Sequence, residues 1–294
     1  MAGTLSNKAV VITGASAGIG LVCALGAARE GAFLIITGRD PGRCASAQES
    51  ILSQVPGARV RYAVADLAVQ GEVHSLAETI NTLLHAEGFN RLDILVNNAG
   101  TFCGKKTYTV DGIEKTFAVN HLAPFLLTHL LLPLLSAAPA GRVITVSSHS
   151  HTYAFNDPLH GSNPRLYFSL RAYGTSKLAN VLFSAEFNRR NASSVVRAFA
   201  VDPGLVNTEM GFKETGRLAG WVWNRRRKLG SSPDLPAQTV LHLASEPTLQ
   251  HSADVYWRNS APLQPSRKAL DPDLASRLWE QSCILCGISD YFHE

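Results

Sequence analysis

Charge is scarce in this sequence: 17% of its 294 residues are Asp, Glu, Lys or Arg, against about 25% in an ordinary soluble domain. With 46% hydrophobic residues, so lean a chain is excluded from the intrinsically disordered class. An excess of one sign is lacking too. The 27 Lys and Arg against 23 Asp and Glu leave a formal charge of +4, too diffuse to mark a nucleic-acid binder. Long apolar runs are missing. The longest, Leu122 to Leu135, is broken by Pro124, Thr128, His129 and Pro133, and falls short of the roughly 20 apolar residues that span a bilayer. The segment from Met1 to Lys8 has no basic region leading into an apolar one. No signal peptide is expected there, and the cytoplasm is the expected location. The five cysteines are odd in number and scattered, which excludes a disulfide framework. Cys283 and Cys286 make one C-x-x-C without a second pair and read as a buried helical pair, not a metal or redox site. The 23 glycines follow no tripeptide period, so the chain is not collagen-like. Repeats, low-complexity blocks and Pro/Ser linkers are absent as well, and one domain over residues 1–294 is expected.

What is present alternates. Ala9-Val10-Val11-Ile12-Thr13, Phe33-Leu34-Ile35-Ile36-Thr37, Arg59 to Val64, Leu92 to Val96, Arg142 to Val146 and Val195 to Val201 read as strands. Longer helical patterns separate them, the first being Ile19 to Arg29. Short apolar runs between helices indicate strands buried on both faces of a parallel sheet. Right-handed crossovers then give an α/β, doubly wound, Rossmann-type three-layer sandwich. In such sheets ligands bind outside the carboxyl ends of the strands, so the residues at those ends carry the functional information.

The first strand runs through Thr13-Gly14-Ala15-Ser16-Ala17-Gly18-Ile19-Gly20 straight into a helix. Glycines there let backbone approach a pyrophosphate, and the helix N-terminus offers free N–H groups. The spacing is G-x-x-x-G-x-G, not the G-x-G-x-x-G of the dinucleotide fingerprint. The second strand ends in Gly38-Arg39-Asp40. An acidic residue at this place binds a ribose hydroxyl, an arginine a 2′-phosphate. Arg39 leads, with Arg43 nearby, and favours NADP(H); Asp40 toward the ribose is the alternative. The third strand ends at Ala65-Asp66-Leu67, where Asp66 suits an adenine amino group, and the fourth at Asn97-Asn98-Ala99-Gly100, a small-residue turn against which a ribose can lie. Ser147-Ser148 closes the fifth. A later helix carries Tyr173 and Lys177 at i, i+4, which puts both on one face.

Taken together, the Thr13–Gly20 turn, Asp66, Asn97-Asn98-Ala99-Gly100, Asn120, Ser148, Tyr173 with Lys177, and Pro203-Gly204 resemble the short-chain dehydrogenase/reductase family over essentially the whole chain. Leu178-Ala179-Asn180 and Ser276-Arg277-Leu278-Trp279-Glu280 look like its retinol-dehydrogenase-like branch. The resemblance implies an NADP(H)-dependent oxidoreductase interconverting a ketone or aldehyde and an alcohol on a fairly apolar small molecule. It assigns catalysis to Asn120, Ser148, Tyr173 and Lys177. Cofactor contacts fall to Gly14, Ser16, Gly18, Ile19, Gly20, Arg39, Asp66, Leu67, Asn98, Ala99, Gly100, Tyr173, Lys177, Pro203, Gly204, Val206 and Thr208. Tyr173 is then the proton donor and acceptor. A phenol with an ordinary pKa of about 10 rarely ionises, and a neighbouring lysine ammonium favours the phenolate. Ser148 hydrogen-bonds the substrate oxygen, and Asn120 organises a proton relay to Lys177. Homo-oligomers are common in such a family. The rival class is a catalytically silent NADP(H)-binding sensor or interaction module, which is expected to have lost Ser148, Tyr173 or Lys177.

Two segments depart from the commonest pattern. Between Ser148 and Tyr173 lies a long stretch with His149, His151, Tyr153, Phe155, His160, Tyr167 and Phe168. Its aromatics are expected to wall a substrate pocket. His149 and His151 lack an acidic or cysteine partner nearby, so they are expected to be loop or pocket histidines and no metal is expected. A substrate lid is expected within about 205–237, where Trp221 and Trp223 precede Arg225-Arg226-Arg227-Lys228. A lid helix with a solvated basic end is the preferred reading, and peripheral contact with a membrane interface is the alternative. From Arg39 the outcome expected in steady-state kinetics is a higher kcat/KM with NADPH than with NADH; the reverse order would remove that assignment.

Overall fold

The computed structural model describes residues 3–154, 157–204 and 232–292. The strands are β1 (Ala9–Ile12), β2 (Phe33–Gly38), β3 (Arg59–Val64), β4 (Ile94–Asn97), β5 (Arg142–Val146), β6 (Arg197–Val201), β7 (Tyr256–Arg258) and β8 (Ala261–Pro262). They form one sheet in the order β3-β2-β1-β4-β5-β6-β7-β8. All neighbours pair parallel except β7 with β8. The order reverses direction at β1, between β2 and β4, which is the switch point where open α/β sheets bind ligands.

Alternation along each strand explains the continuous apolar runs. Ala9, Val11, Phe33 and Ile35 face one core cluster, whereas Val10, Ile12, Leu34 and Ile36 face a second on the other side of the sheet. Helices α1 (Gly18–Arg29), α2 (Pro41–Gln54) and α6 (Asp234–Ser245) contribute to the second cluster. Helices α3 (Gln70–Ala86), α4 (Lys115–Ser136), α5 (Ser169–Arg190) and α7 (Pro272–Cys286) contribute to the first. Phe125, Phe183 and Trp279 meet in this first core, with Phe125–Trp279 ring centroids 5.1 Å apart.

Several expectations are corrected. The sheet has two strands beyond the six expected, because β7 and β8 extend it past β6. β3 is not buried on both faces: it is an edge strand that exposes Arg59, Arg61, Tyr62 and Val64, with Arg59 and Arg61 paired to Glu87. The fourth and sixth strands begin two residues late, at Ile94 and Arg197; before them Leu92 N–H bonds to Leu134 O on α4 and Val196 N–H to the Ser194 hydroxyl. The Leu122–Leu135 run belongs to a helix of 22 residues, Lys115–Ser136, that is long and apolar enough to cross a membrane by length and composition. The most apolar window of this helix is 83% buried inside the protein, as befits a core helix. Of the C-x-x-C pair, Cys286 is buried and Cys283 only partly so. Burial pushes both thiols up, to about 12 and about 11. No three His, Cys, Asp or Glu side chains converge on a metal-binding position among the described residues.

α4 is not regular. Ala118–Leu122 forms a π-helical segment, in which Ala123 N–H bonds to the Ala118 carbonyl. Pro124 has no N–H, so it cannot give the carbonyl four residues back, that of Asn120, its α-helical bond. The bulge thus brings a departure from regular helix to the position of Asn120. The next side chain, His121, is 1% exposed. Its Nε2 donates to Ser282 Oγ at 3.0 Å, since that hydroxyl donates onward to Leu278 O. Burial pulls the His121 pKa down to about 3. The unfolded chain therefore binds a proton near pH 6.5 that the folded chain refuses, and stability is lost as pH falls from about 6.5 toward 3. Urea unfolding of His121→Gln at stepped pH is expected to show a slope flatter by up to about 1.4 kcal/mol per pH unit in that window. An unchanged slope would assign the acid sensitivity elsewhere.

Candidate active site

The junction of β1 with β4 sets the floor of the site. Thr13 Oγ1 accepts the backbone N–H groups of Asn98 and Ala99, each at 3.0 Å. The Asn98 side-chain amide donates back to Thr13 O at 2.8 Å and Gly14 O at 3.2 Å. The two turns are laced together by hydrogen bonds in both directions, and Asn98 spends its amide on this lacing. Thr13 was not among the site residues expected from sequence; a small polar residue closing a buried strand was the available signal.

Glycine is required at this junction for space. Gly14 has φ +65°, and a Cβ on it would lie 2.8 Å from Ala99 Cα. A Cβ on Gly20 would lie 2.5 Å from Asn98 Nδ2 and 2.6 Å from Gly14 O. The N-cap of α1 is Ala17, whose side chain makes no capping bond. The first-turn N–H groups are thus left to an external acceptor, with Ser16, Gly18 and Ile19 in the same turn. A backbone cradle at an uncapped helix N-terminus fits the pyrophosphate of a dinucleotide.

At the end of β2, Arg39 and Asp40 are exposed. Asp40 is the N-cap of α2, accepting Arg43 N–H at 2.9 Å, so its carboxylate already has a structural task and the ribose alternative weakens. A cavity of about 420 Å³ lies between the Gly-rich turn and α2, lined by Ser16, Asp40, Arg43 and Ser46 among others. Arg43, rather than Arg39, is the cation that lines it, a residue sequence reasoning placed only nearby. Asp66 turns back to accept Ala68 N–H at 3.0 Å, with Leu67 half-buried beside it.

The structure brings Asn120, Ser148, Tyr173 and Lys177 together across three elements. α5 carries Tyr173 and Lys177 on one face, and Lys177 Nζ sits 5.5 Å from the Tyr173 ring centroid. Nζ donates to Val146 O, at the end of β5, at 2.8 Å. Ser148, two residues on, bears on the Tyr173 phenol and opposes the rise in its pKa, while its hydroxyl accepts Ser150 N–H at 3.1 Å. The Asn120 side chain accepts Thr101 N–H at 2.7 Å and donates to Thr101 O and Ser176 Oγ, both at 3.0 Å. A Cβ on Gly100 would come within 3.4 Å of Asn120 Oδ1 and 3.6 Å of Lys177 Nζ. Gly100 therefore keeps open the space between them.

Electrostatics there differ from the expectation. Burial raises the Tyr173 phenol to about 12; Ser148 opposes this and the charge of Asp202 adds to it. Burial likewise lowers Lys177 to about 8. The protein's own groups therefore do not draw the phenol down, because desolvation outweighs the opposing influence of Ser148. At neutral pH the pair rests as a phenol beside an ammonium, which is the protonation state of a proton donor.

The segment between Ser148 and Tyr173 also behaves differently. His151 is 2% exposed and is no pocket residue. Its Nδ1 donates to Ser148 O at 2.9 Å, and Nε2 accepts Ser266 N–H at 3.0 Å. His149 and His160 are exposed, as are Tyr153 and Phe168, each at 52%. Tyr167 donates to Cys103 O at 2.7 Å. Phe155, Val206, Thr208, the stretch from Trp221 to Lys228 and most of the expected lid lie outside the described residues. Pro203 and Gly204 follow β6, with Gly204 at φ +70°.

Comparison with known proteins gives a consistent picture. A family model described as short chain dehydrogenase matches residues 8–217. The chain is 37% identical to retinol dehydrogenase 12 of Mus musculus over 97% of its length and 88% of that protein. It is 36% identical to retinol dehydrogenase 13 of Homo sapiens, over 97% and 86%. Among solved structures, the landomycin C-6 ketoreductase LanV, with bound NADP and rabelomycin, is similar at 27% identity and a TM-score of 0.68, covering 87% of this chain and 96% of that one.

Gly20→Ala forces a Cβ against backbone and the Asn98 amide, and overpacking of this kind costs about 1–3 kcal/mol. The expected result is a lower unfolding temperature together with weaker NADPH binding in fluorescence titration. Wild-type values in both would show that the turn has slack.

Proposed function

The chain belongs to the short-chain dehydrogenase/reductase family, in its retinol-dehydrogenase-like branch, and from that membership we propose an NADP(H)-dependent oxidoreductase that interconverts a ketone or aldehyde and an alcohol on a fairly apolar small molecule. The observation that carries the reading is the buried Tyr173 side chain, with Lys177 Nζ 5.5 Å from its ring centroid on the same helix and Ser148 opposing the rise in its pKa. The similarity to proteins named for retinol, an apolar alcohol, supports the substrate class. NADP in the LanV structure and Arg43 at the α2 cavity support the phosphorylated cofactor.

The nicotinamide cofactor, when bound, supplies or accepts the hydride. Gly14, Ser16, Gly18, Ile19 and Gly20 with the α1 N-terminus would hold its pyrophosphate. Arg39 and Arg43 would hold the 2′-phosphate, Asp66 and Leu67 the adenine, and Asn98, Ala99 and Gly100 the adjoining ribose. Lys177 would reach the nicotinamide ribose; Pro203, Gly204, Val206 and Thr208 would close on the carboxamide. Ser148 orients the substrate oxygen and stabilises the charge that develops on it. Tyr173 Oη delivers its proton to that oxygen in reduction and receives one in oxidation. Lys177 and Asn120 restore the proton through the space beside Gly100. One domain over residues 1–294, with a lid within about 205–237, completes the proposal.

Tyr173→Phe removes the proton donor without opening a cavity. The expected outcome is NADPH affinity near that of the unmodified chain and kcat lower by at least about 100-fold, read as NADPH absorbance loss over a panel of apolar ketones and aldehydes. Near-normal turnover in this variant would sink the mechanism.

A further inference from the structure

Asp202 directly follows β6 and is 1% exposed, a position where a carboxylate is costly unless it is paired. Its Oδ1 accepts two backbone hydrogen bonds, from His149 N–H at 3.0 Å and from Gly204 N–H at 2.9 Å. The first belongs to the turn that presents Ser148, and the second to the turn after Pro203. One oxygen atom thus ties together two strand ends that border the site. Oδ2 accepts no hydrogen bond among the described residues and faces the Arg258 guanidinium of β7 at 3.7 Å. That guanidinium also packs on Gly204, where a Cβ would lie 3.3 Å from its Nη2.

A neutral amide would satisfy both backbone N–H groups equally well, so the clamp alone does not call for a charge. The His149 amide holds this carboxylate one residue from Ser148, and a buried negative charge at that distance opposes ionisation of the Tyr173 phenol. The titratable and charged groups around Tyr173 and Asp202 come from four elements. Lys177 is on α5, Ser148 follows β5, His149 and His151 lie in the turn after Ser148, and Tyr256 and Arg258 are on β7. Asp202 is the member of this set that brings negative charge. Arg258 is 42% exposed in its side chain, so solvent shares its field and it neutralises Asp202 incompletely.

We propose that Asp202 is a positioning residue of this site: its carboxylate fixes Ser148 through the His149 and Gly204 amides, while its charge biases the site toward proton donation. The inference rests on Tyr173 as the proton donor of the proposed reaction. It predicts that charge and clamp separate in two substitutions. Asp202→Asn keeps the acceptor for both amides and removes the charge. Asp202→Ala removes both.

The test uses the full chain with NADP⁺ and the alcohol corresponding to the best carbonyl of the panel. In Asp202→Asn the pH of half-maximal oxidation is expected to fall by about one unit, with KM nearly unchanged. In Asp202→Ala kcat is expected to fall by about tenfold or more, because the Ser148 turn loses its anchor. Arg258→Met leaves the carboxylate without its counter-ion and is expected to move the same midpoint upward. Phenolate absorbance, taken as the difference between each variant and its Tyr173→Phe double variant in the NADP⁺ complex, reads the same order without turnover. A merely structural Asp202 would lower activity in all of them and leave the midpoint in place. An unmoved midpoint in both Asp202→Asn and Arg258→Met, with Tyr173→Phe inactive, overturns the inference. Activity retained by Tyr173→Phe overturns the mechanism it rests on instead.

Discussion

Lys177 carries an ammonium group into a position only 2% exposed to solvent, and the architecture around it follows from that burden. A buried ammonium needs acceptors, and the carbonyl of Val146 supplies one because β5 stops there and bends away. α5 must cross the end of β5 for Nζ to reach, and that crossing also brings Tyr173 beside Ser148. The Ser147 hydroxyl, fully buried, donates to the Lys177 carbonyl at 2.7 Å, so strand and helix grip each other at the very residue that holds the charge. Desolvation at this place lowers the lysine and raises the tyrosine. The two shifts are consequences of one act of burial.

A second consequence is that the site tolerates little bulk. Gly14 and Gly20 sit where a Cβ would press on backbone or on the Asn98 amide, and a Cβ on Gly100 would touch Asn120 and Lys177. The same close approach lets a flat or anionic group lie against the main chain, so affinity for a dinucleotide and intolerance of substitution have a single origin. The lacing of Thr13 to Asn98 and Ala99 keeps the cradle at its width, since either turn can move only by breaking bonds to the other.

Much of this was legible in the amino-acid sequence, and the reasons are local. β1, β2, β4, β5 and β6 are covered on both faces and so read as uninterrupted apolar runs; the Gly-rich turn and the i, i+4 spacing of Tyr173 and Lys177 are short-range patterns. The features that escaped are those decided by tertiary context. β7 has three residues, two of them buried, too short for any period to show. β3 resembles an interior strand in composition, and its exposure follows only from lying at the edge. The π-helical segment goes with the missing N–H of Pro124, but a proline alone does not distinguish a bulge from a kink. His151 read as a loop or pocket histidine, yet Ser148 and Ser266, far apart in sequence, satisfy both its nitrogens. Asp202 and Arg43 became informative only once the strands were set side by side.

The aromatic contacts of α7 bear on how the molecule reaches this state. Ser282 meets His121, Tyr291 O accepts from His129, and the Tyr291 hydroxyl donates to Phe125 O, across sequence separations of 161, 162 and 166 residues. Closing such loops is slow, because chain entropy must be given up before the contact rewards it. α4, which bears Asn120, therefore lacks its full covering until the most distant part of the chain has docked.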